Sequence, residues 1–225
     1  MPAVTRVPAP NAGTRVTVTG ISIKNEMNFG FLASHHGSNM QAVLDACRSG
    51  QLRATPAVVI SNNGDSEALA RAKREAIPGY HLSSKIHPTA DQLDEAILQA
   101  LTRHQVDLVI LAGYMRKLGT KTLAHFAGRI LNIHPALLPK FGGQGMYGEH
   151  VHAAILAAGE KETGVTIHLV DSEYDHGAIL AQCRLPVYPD DTVTTLSRRV
   201  LEREHTFLVE TLQKIVSGEI PLPAK

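Results

Sequence analysis

The sequence predicts an α/β fold of the doubly wound type, built on a mostly parallel sheet. Apolar runs of strand length alternate with segments of helical periodicity in the first part of the chain, which is the pattern of βαβ units. After residue 134 this alternation stops, and two strand-like runs precede one long final helix. A chain of 225 residues is long enough for one such domain, with or without a small appendage.

Each element of the parallel part is predicted from its own apolar pattern. The predicted strands cover residues 28–33, 57–61, 79–82 (the weakest run), 107–112 and 129–133. The predicted helices cover residues 38–49, 65–75, 89–104 and 119–127. The helix at 89–104 has the clearest signal, because Leu93, Ile97 and Leu101 recur on one face at helical spacing.

The later part of the chain is predicted to add antiparallel or edge strands and a long C-terminal helix. A loop rich in proline and glycine covers 135–148 and leads into a helix at 149–158. Strand-like runs at 163–170 and 178–188 flank a polar turn, as in a hairpin or paired edge strands. The final helix is predicted over 192–217.

The compact pattern begins only at Met27, with the run MNFGFLA. We therefore expect residues 1–26 to be a poorly ordered N-terminal extension and residues 27–225 to form a single domain. Met27 could be the natural start of the protein. The first 26 residues lack the apolar core of a secretion signal.

The composition argues against a nucleic-acid-binding or membrane protein. The 22 basic and 21 acidic residues leave a formal net charge of +1, so a global field that attracts polyanions is missing. Aromatic residues make up 4% of the chain and tryptophan is absent, which disfavours base stacking. No apolar run approaches the roughly 20 residues that span a membrane.

The cysteines and histidines form no recognisable metal motif. Cys47 and Cys183 make no CxxC pair, so we expect two buried thiols in a reducing compartment, which predicts a cytoplasmic location. His150 and His152 lie two residues apart at a helix start and would not share a helix face. The 12 histidines include no H-E-x-x-H motif, and no metal is therefore predicted.

Gly37, Ser38 and Asn39 lie between the first predicted strand and the first helix. Glycine lets the backbone approach a ligand, and free N–H groups at a helix start attract an anion such as phosphate. Ser38 or Asn39 could equally be a simple helix cap, and the local sequence leaves both interpretations open. The G-x-G-x-x-G pattern is absent, which disfavours a nicotinamide cofactor.

The segment Asn132-Ile133-His134-Pro135 lies at the carboxyl end of a predicted strand, where open α/β sheets bind ligands. Residues two apart in a strand point the same way, so Asn132 and His134 could meet at one point. An amide and an imidazolium there could stabilise the oxyanion of acyl transfer, typically by about 3 kcal/mol per donor. Alternatively, the pair only closes the strand with structural hydrogen bonds.

Acidic residues offer candidates at two further places, the turn between the late strands and the last helix. Asp171, Glu173 and Asp175 crowd the turn between the two late strands, and a carboxylate near His134 would raise its pKa. The sequence does not choose among the three, and a solvated turn is the simpler alternative. Glu204 interrupts an apolar stripe of the last helix, where it could bind hydroxyls or an amine, or lie where the stripe drifts to the surface.

Three longer stretches carry a resemblance to a known family. They are LAGYMRKL at 111–118, RILNIHPALLPK at 129–140 and TGVTIHLVDSEYDHGAI at 163–179. Together, and over roughly residues 27–215, the chain resembles the glycinamide ribonucleotide formyltransferase family. The resemblance implies transfer of a formyl group from 10-formyltetrahydrofolate to the primary amine of glycinamide ribonucleotide in purine biosynthesis, without a metal.

The resemblance also implies roles for matched residues. His134 would be the general acid, Asn132 would bind the formyl oxygen, and Asp175 would raise the pKa of His134 and relay a proton. Gly37, Ser38 and Asn39 would hold the phosphate of the acceptor, Glu204 would bind the acceptor, and His168 would support the site. The implied folate pocket is lined by Met115, Arg116, Lys117, Leu118, Asn132, Asp171, Ser172, Glu173, Tyr174 and Asp175. The implied partners are small molecules. Whether the protein forms a homodimer is left open.

The sequence departs from the family at the phosphate loop. His35 and His36 occupy positions that are usually glycine and asparagine, and they could add positive charge for phosphate or indicate another acceptor. The loop 141–148 is unusually rich in glycine, and Lys85 is only an insecure match to a basic residue near the folate. Alternatives are a formyltransferase for another amine, a 10-formyltetrahydrofolate deformylase, and a non-catalytic nucleotide-binding module.

Overall fold

The computed structural model describes residues 26–223, which form seven strands and six helices. The strands are β1 Met27–Leu32, β2 Ala54–Ser61, β3 Gly79–His81, β4 Leu108–Leu111, β5 Ile130–His134, β6 Glu162–Leu169 and β7 Ile179–Pro186. The helices are α1 Ser38–Arg48, α2 Glu67–Arg74, α3 Ala90–Arg103, α4 Thr120–His125, α5 Glu149–Ala157 and α6 Val193–Val216. Apart from Glu26, the predicted extension lies outside the described residues, and the division into an extension and one domain stays a prediction.

The strands form one sheet in the order β3-β2-β1-β4-β5-β6-β7. Pairing is parallel from β3 to β5, whereas β6 and β7 add to the sheet in antiparallel orientation. Side chains of α1, α2, α5 and α6 pack in one apolar cluster, and those of α3 pack in another. The predicted fold class, with its late antiparallel strands and long final helix, is confirmed.

The largest difference from the predicted boundaries is at β2, which begins at Ala54, before Pro56. Proline cannot donate a hydrogen bond to a neighbouring strand and is tolerated mainly at edges, strand starts and bulges. Pro56 pairs with Phe29, next to a register shift between Phe29 and Gly30. The irregular pairing therefore accommodates the proline, and the strand extends beyond the apolar run that predicted it.

The central strand β1 shows why the sequence packs helices on both sides of the sheet. Phe29 and Phe31 point to one face and belong to the cluster that contains α1 and α6. Between them, a Cβ atom on Gly30 would lie 2.8 Å from Leu101 and 3.0 Å from Val106. Glycine at this position thus allows α3 to approach the other face of the sheet closely.

The carboxyl ends of β1, β2 and β4 are tied together by Ser34, directly after β1. Its backbone N–H donates to the carbonyl oxygen of Gly113 at 3.0 Å, and its hydroxyl donates to Asn62 Oδ1 at 2.6 Å. The same hydroxyl accepts a hydrogen bond from the backbone N–H of Met115 at 2.8 Å. These contacts fix the loops that follow three parallel strands relative to one another.

The start of α4 is held by a buried carboxylate. Asp94 on α3 accepts hydrogen bonds from the backbone N–H groups of Lys121 and Thr122 at 2.7 and 3.1 Å, and from the Thr122 hydroxyl. A Cβ atom on Gly119 would overlap Asp94, so only glycine leaves room for this cap. Asp94 therefore replaces the side-chain cap that Gly119 cannot supply.

We predict that Asp94→Ala lowers the free energy of unfolding by about 2 kcal/mol or more, because it leaves buried donors without a partner. Asp91→Ala is the matched control, since Asp91 lies on the same helix and pairs with Lys121 at the exposed surface. It should cost at most about 1 kcal/mol. Denaturant unfolding of both variants tests this, and equal losses would contradict the capping role.

Candidate active site

A cavity of about 740 Å³ lies at the carboxyl edge of the parallel strands. Its walls come from the loops after β1, β4, β5 and β6, together with one face of α6. All the predicted catalytic and folate-pocket residues line this cavity, and so do Asn39 and Glu204. Gly37 and Ser38 of the predicted phosphate loop are not among the lining residues, and they lie at the start of α1.

Three polar side chains of β5 and β6 meet around Asp175. The Oδ2 atom of Asp175 lies 3.5 Å from His134 Nδ1, and its Oδ1 atom lies 3.5 Å from His168 Nε2. Asn132 donates through Nδ2 to Asp175 Oδ1 at 3.3 Å and to His168 Nε2 at 3.1 Å. Antiparallel pairing explains part of this arrangement, because Asn132 on β5 lies directly opposite His168 on β6.

Asp175 is the member of the acidic turn that faces inward. Its backbone has a φ of 55°, a left-handed conformation that is uncommon for a residue with a side chain. The backbone N–H of Gly143 donates to its Oδ2 at 3.0 Å. Asp171 and Glu173, in contrast, are exposed. The path of the loop thus selects Asp175, the acid that the family resemblance implied and that the residue pattern alone left open.

The imidazole of His134 is placed to interact with Asp175 in its charged form. Its Nε2 atom lies 2.8 Å from the carbonyl oxygen of Phe141, which can only accept, so Nε2 carries a hydrogen. A proton added to the ring would therefore reside on Nδ1, which faces Asp175. When the ring is charged, its second N–H therefore points at the carboxylate.

Burial and charge act in opposite directions on these groups. Burial lowers the pKa of His134, while the negative Asp175 and the Phe141 carbonyl oppose that shift, so the net direction is downward. An acidic neighbour alone would have given the upward shift that the sequence predicted. For Asp175, burial raises the pKa, but His168, His134 and the Gly143 N–H outweigh it and the net direction is downward.

Glu204 and Asn39 form a second buried polar pair in the cavity. Asn39 Nδ2 donates to Glu204 Oε2 at 3.1 Å, and no partner for Asn39 Oδ1 is found within the described part of the chain. Burial raises the pKa of Glu204 from 4.5 to about 7, although the Asn39 hydrogen bond opposes this. Glu204 is therefore truly inside the apolar stripe of α6, and the alternative of a surface position is wrong.

His152 is a cavity residue whose position the sequence analysis missed. It lies on α5, is 3% exposed and lines the cavity, and its Nδ1 atom has no partner among residues 26–223. Burial, with His134 as a second cause, lowers its pKa to about 4, so the ring is neutral at physiological pH. The sequence contains the pair His150-x-His152 at the start of α5, but it does not show which of the two faces inward. In the structure His152 is buried and His150 is exposed.

The rim of the cavity connects the two segments predicted to line the folate pocket. Lys117 donates through Nζ to the carbonyl oxygen of Ser172 at 3.0 Å, and Nζ lies 4.9 Å from the centre of the Tyr174 ring. Met115 is also exposed at this rim. The loop after β4 and the loop after β6 therefore close one side of the cavity together.

The described residues provide neither a metal-ligand cluster nor a membrane-spanning helix. Among residues 26–223, no three or more histidine, cysteine, aspartate and glutamate side chains are grouped so as to hold a metal ion. In the same part of the chain, no helix combines the length and the apolar character needed to cross a membrane.

Comparison with known proteins identifies the class of this fold and site. Residues 27–212 match the formyl transferase family, and the chain belongs to that family. The recognised family resemblance is thereby confirmed.

Several relatives within this family share one name or close variants of it. Phosphoribosylglycinamide formyltransferase of Haemophilus influenzae is 39% identical over 191 residues, which are 85% of this chain and 88% of that protein. The protein of the same name from Escherichia coli is 33% identical over 196 residues, or 87% and 90% of the two chains. The crystal structure of glycinamide ribonucleotide transformylase 1 from Symbiobacterium toebii has a TM-score of 0.83 and 36% identity, and covers 92% of this chain and 96% of that one.

A formyltetrahydrofolate deformylase from Pseudomonas syringae has a similar structure, with a TM-score of 0.79. Its identity is 24%, and the match covers 88% of this chain but 64% of that one. At this level of identity the likeness concerns the fold alone.

We predict that Glu204→Gln stabilises the protein relative to the parent increasingly as the pH rises. A buried carboxyl with a raised pKa favours the folded state below pH 4.5, and that contribution is lost as the pH rises through about 7. Glutamine cannot ionise, so the variant should gain about 3 kcal/mol on the parent between pH 4.5 and pH 8. Denaturant unfolding at both pH values tests this, and a difference that does not change with pH would contradict burial of the ionised form.

A second prediction concerns the electrostatics around His134. In Asp175→Asn the negative charge beside Nδ1 is removed, so the pKa of His134 should fall below its value in the parent. Asp171→Asn is the matched control, because Asp171 pairs with His176 at 3.0 Å and raises the pKa of that exposed ring. It should lower the pKa of His176 and leave His134 unchanged. An NMR pH titration of the imidazoles distinguishes the two, and an unchanged His134 in Asp175→Asn would refute the pairing.

Proposed function

We propose that the protein transfers the formyl group of 10-formyltetrahydrofolate to the primary amine of glycinamide ribonucleotide, a step of purine biosynthesis. A bond forms between the amine nitrogen and the formyl carbon, and the bond from that carbon to the carrier nitrogen breaks. The amine loses one proton and the carrier nitrogen gains one. The residues of the site therefore have to stabilise a negative oxygen and move one proton.

The observation that carries the proposal is the group formed by Asn132, His134 and Asp175 on the cavity wall. We assign the oxyanion to Asn132 and to the charged form of His134, whose Nδ1–H would be shared between Asp175 and the oxyanion. Asn132 donates to His168 and to Asp175 through Nδ2, so it would exchange one of these hydrogen bonds for one to the formyl oxygen. Asp175 would stabilise the charged His134 and pass the proton, because it lies on the side of the ring that gains it.

We assign the formyl donor to the end of the cavity between the loops after β4 and β6. The wall there is mixed, with apolar Met115, Leu118 and Val170 beside the polar turn 171–174. Tyr114 also lines this cavity, and its hydroxyl has no partner in the described part of the chain. Burial raises the pKa of Tyr114 to about 12, so the hydroxyl keeps its hydrogen and could donate to a polar ring. A flat ring with polar edges, such as a pterin, suits this wall.

We assign the acceptor to the end of the cavity near α1 and α6. Asn39 and Glu204 lie there as a buried polar pair, which suits hydroxyl or amine groups of a small polar molecule. The phosphate is assigned to Gly37, Ser38 and Asn39 at the start of α1, where backbone N–H groups and the helix dipole favour an anion. We also propose a cytoplasmic location, which agrees with the free thiols of Cys47 and Cys183.

The decisive experiment mixes purified protein with 10-formyltetrahydrofolate, with and without glycinamide ribonucleotide, and follows the folate product optically. Product should depend on the ribonucleotide. Product formed equally without it would indicate water as the acceptor, and no product in either mixture would exclude both reactions.

We predict that His134→Ala lowers turnover about 10²- to 10⁴-fold, the usual contribution of a general acid. Folate binding should be retained, since His134 acts on the reacting group. His150→Ala is the matched control, because His150 is exposed and is not among the residues that line the cavity. It should keep the parent's turnover. Near-normal turnover in His134→Ala would refute the assignment.

A further inference from the structure

The two adjacent histidines before α1 have different surroundings. His35 and His36 are both exposed, but His35 lines the cavity and His36 is not among its lining residues. On the other side, Arg74 lowers the pKa of the exposed Glu67, and His36 adds a smaller effect in the same direction, which places His36 near α2. The His35 side chain therefore lies on the cavity side of the loop, and the His36 side chain lies on the side of α2.

The backbone of this loop is fixed by α2. The backbone N–H of Ala68 donates to the carbonyl oxygen of His35 at 3.0 Å, and Arg71 Nε donates to that of His36 at 3.0 Å. Gly37 follows with a φ of 64°, and a Cβ atom there would lie 3.0 Å from Ala68 Cβ. The hydrogen bonds to α2 hold both carbonyl groups, and Gly37 packs tightly against Ala68. The backbone therefore keeps His35 on the cavity side and His36 on the α2 side.

The start of α1 beside His35 has features of a ligand site. Its N-cap residue, Gly37, supplies no side-chain hydrogen bond, whereas Ser66 and Thr89 cap α2 and α3. Independently, Asn39 in the first turn is 9% exposed and lines the cavity, and its Oδ1 has no partner among the described residues. This buried acceptor calls for a donor, such as a hydroxyl or amine of a ligand or a water, and so marks this end of the cavity as a ligand site.

Cationic side chains are scarce around the cavity. Among its described lining residues, the lysine and arginine side chains are Arg116 and Lys117, both on the loop after β4. Lys117 is occupied by Ser172 and Tyr174 at that rim. Arg71 is engaged with the His36 carbonyl and with Gln41. At the α1 end of the cavity, His35 is the side chain best placed to donate to an anion.

We propose that His35 determines acceptor specificity by donating an imidazole N–H to the phosphate of the ribonucleotide, while His36 takes no part. The proposal rests on the proposed function, since it names a residue for the phosphate of that acceptor. An imidazole carries at least one N–H donor in either protonation state, and a phosphate presents several acceptor oxygens. The helix N–H groups and His35 would thus approach the phosphate from two sides.

The test compares His35→Ala with His36→Ala in the full-length protein, using glycinamide ribonucleotide and its dephosphorylated ribonucleoside as acceptors. His35→Ala should raise KM for the ribonucleotide about 10-fold, as one hydrogen bond to a charged group predicts, with kcat unchanged. KM for the ribonucleoside should not change. His36→Ala should behave as the parent, and His35→Arg should restore most of the affinity for the ribonucleotide.

Equal KM values for the ribonucleotide in His35→Ala and the parent would overturn the proposal, and so would an equal loss with both acceptors. Binding without turnover separates this failure from failure of the proposed function. Inorganic phosphate and the ribonucleotide should each shift the His35 imidazole signals in NMR spectra of the parent. If formyl transfer fails but these shifts occur, the phosphate site stands and the reaction is wrong. If transfer succeeds without a shift from the ribonucleotide, the role of His35 is wrong.

Discussion

The inward position of Asp175 is the constraint on which the site depends. Its two oxygens face His134, His168 and Asn132, three side chains that the sheet alone would bring to one edge but would not hold together. The position requires a left-handed backbone, which typically costs about 1–3 kcal/mol for a residue other than glycine. The Gly143 N–H partly offsets this cost, so the glycine-rich loop after β5 supports the carboxylate.

Burial governs the protonation states in this cavity at least as much as charge does. Glu204 has its pKa raised to about 7 and His152 has its pKa lowered to about 4, in both cases mainly because the charged form is removed from water. His152 is therefore neutral at physiological pH, whereas Glu204 changes charge close to it. Burial also prevails at His134, whose pKa is lowered, but there Asp175 opposes it at the nitrogen that would gain a proton.

The scaffold contributes by fixing the loops that surround the cavity. Ser34 ties the ends of three parallel strands, and Lys117 ties the loop after β4 to the loop after β6. β6 joins the sheet in antiparallel orientation, and this pairing brings His168 opposite Asn132. The end of the strand–helix alternation after residue 134 therefore places His168 of β6 beside the end of β5.

The sequence by itself determined the order and type of the elements, because apolar periodicity reflects local burial. It also predicted that Asn132 and His134 lie together, since residues two apart on a strand share a face, and both line the cavity. The local pattern did not choose Asp175 over Asp171 and Glu173, a choice that only the family resemblance implied. It also did not place His152 in the cavity or tell His35 from His36. Those outcomes depend on loop paths and helix orientation, which are set by contacts between residues far apart in the chain. Only the tertiary structure decided them, because distances between residues far apart in the chain leave no local pattern in the sequence.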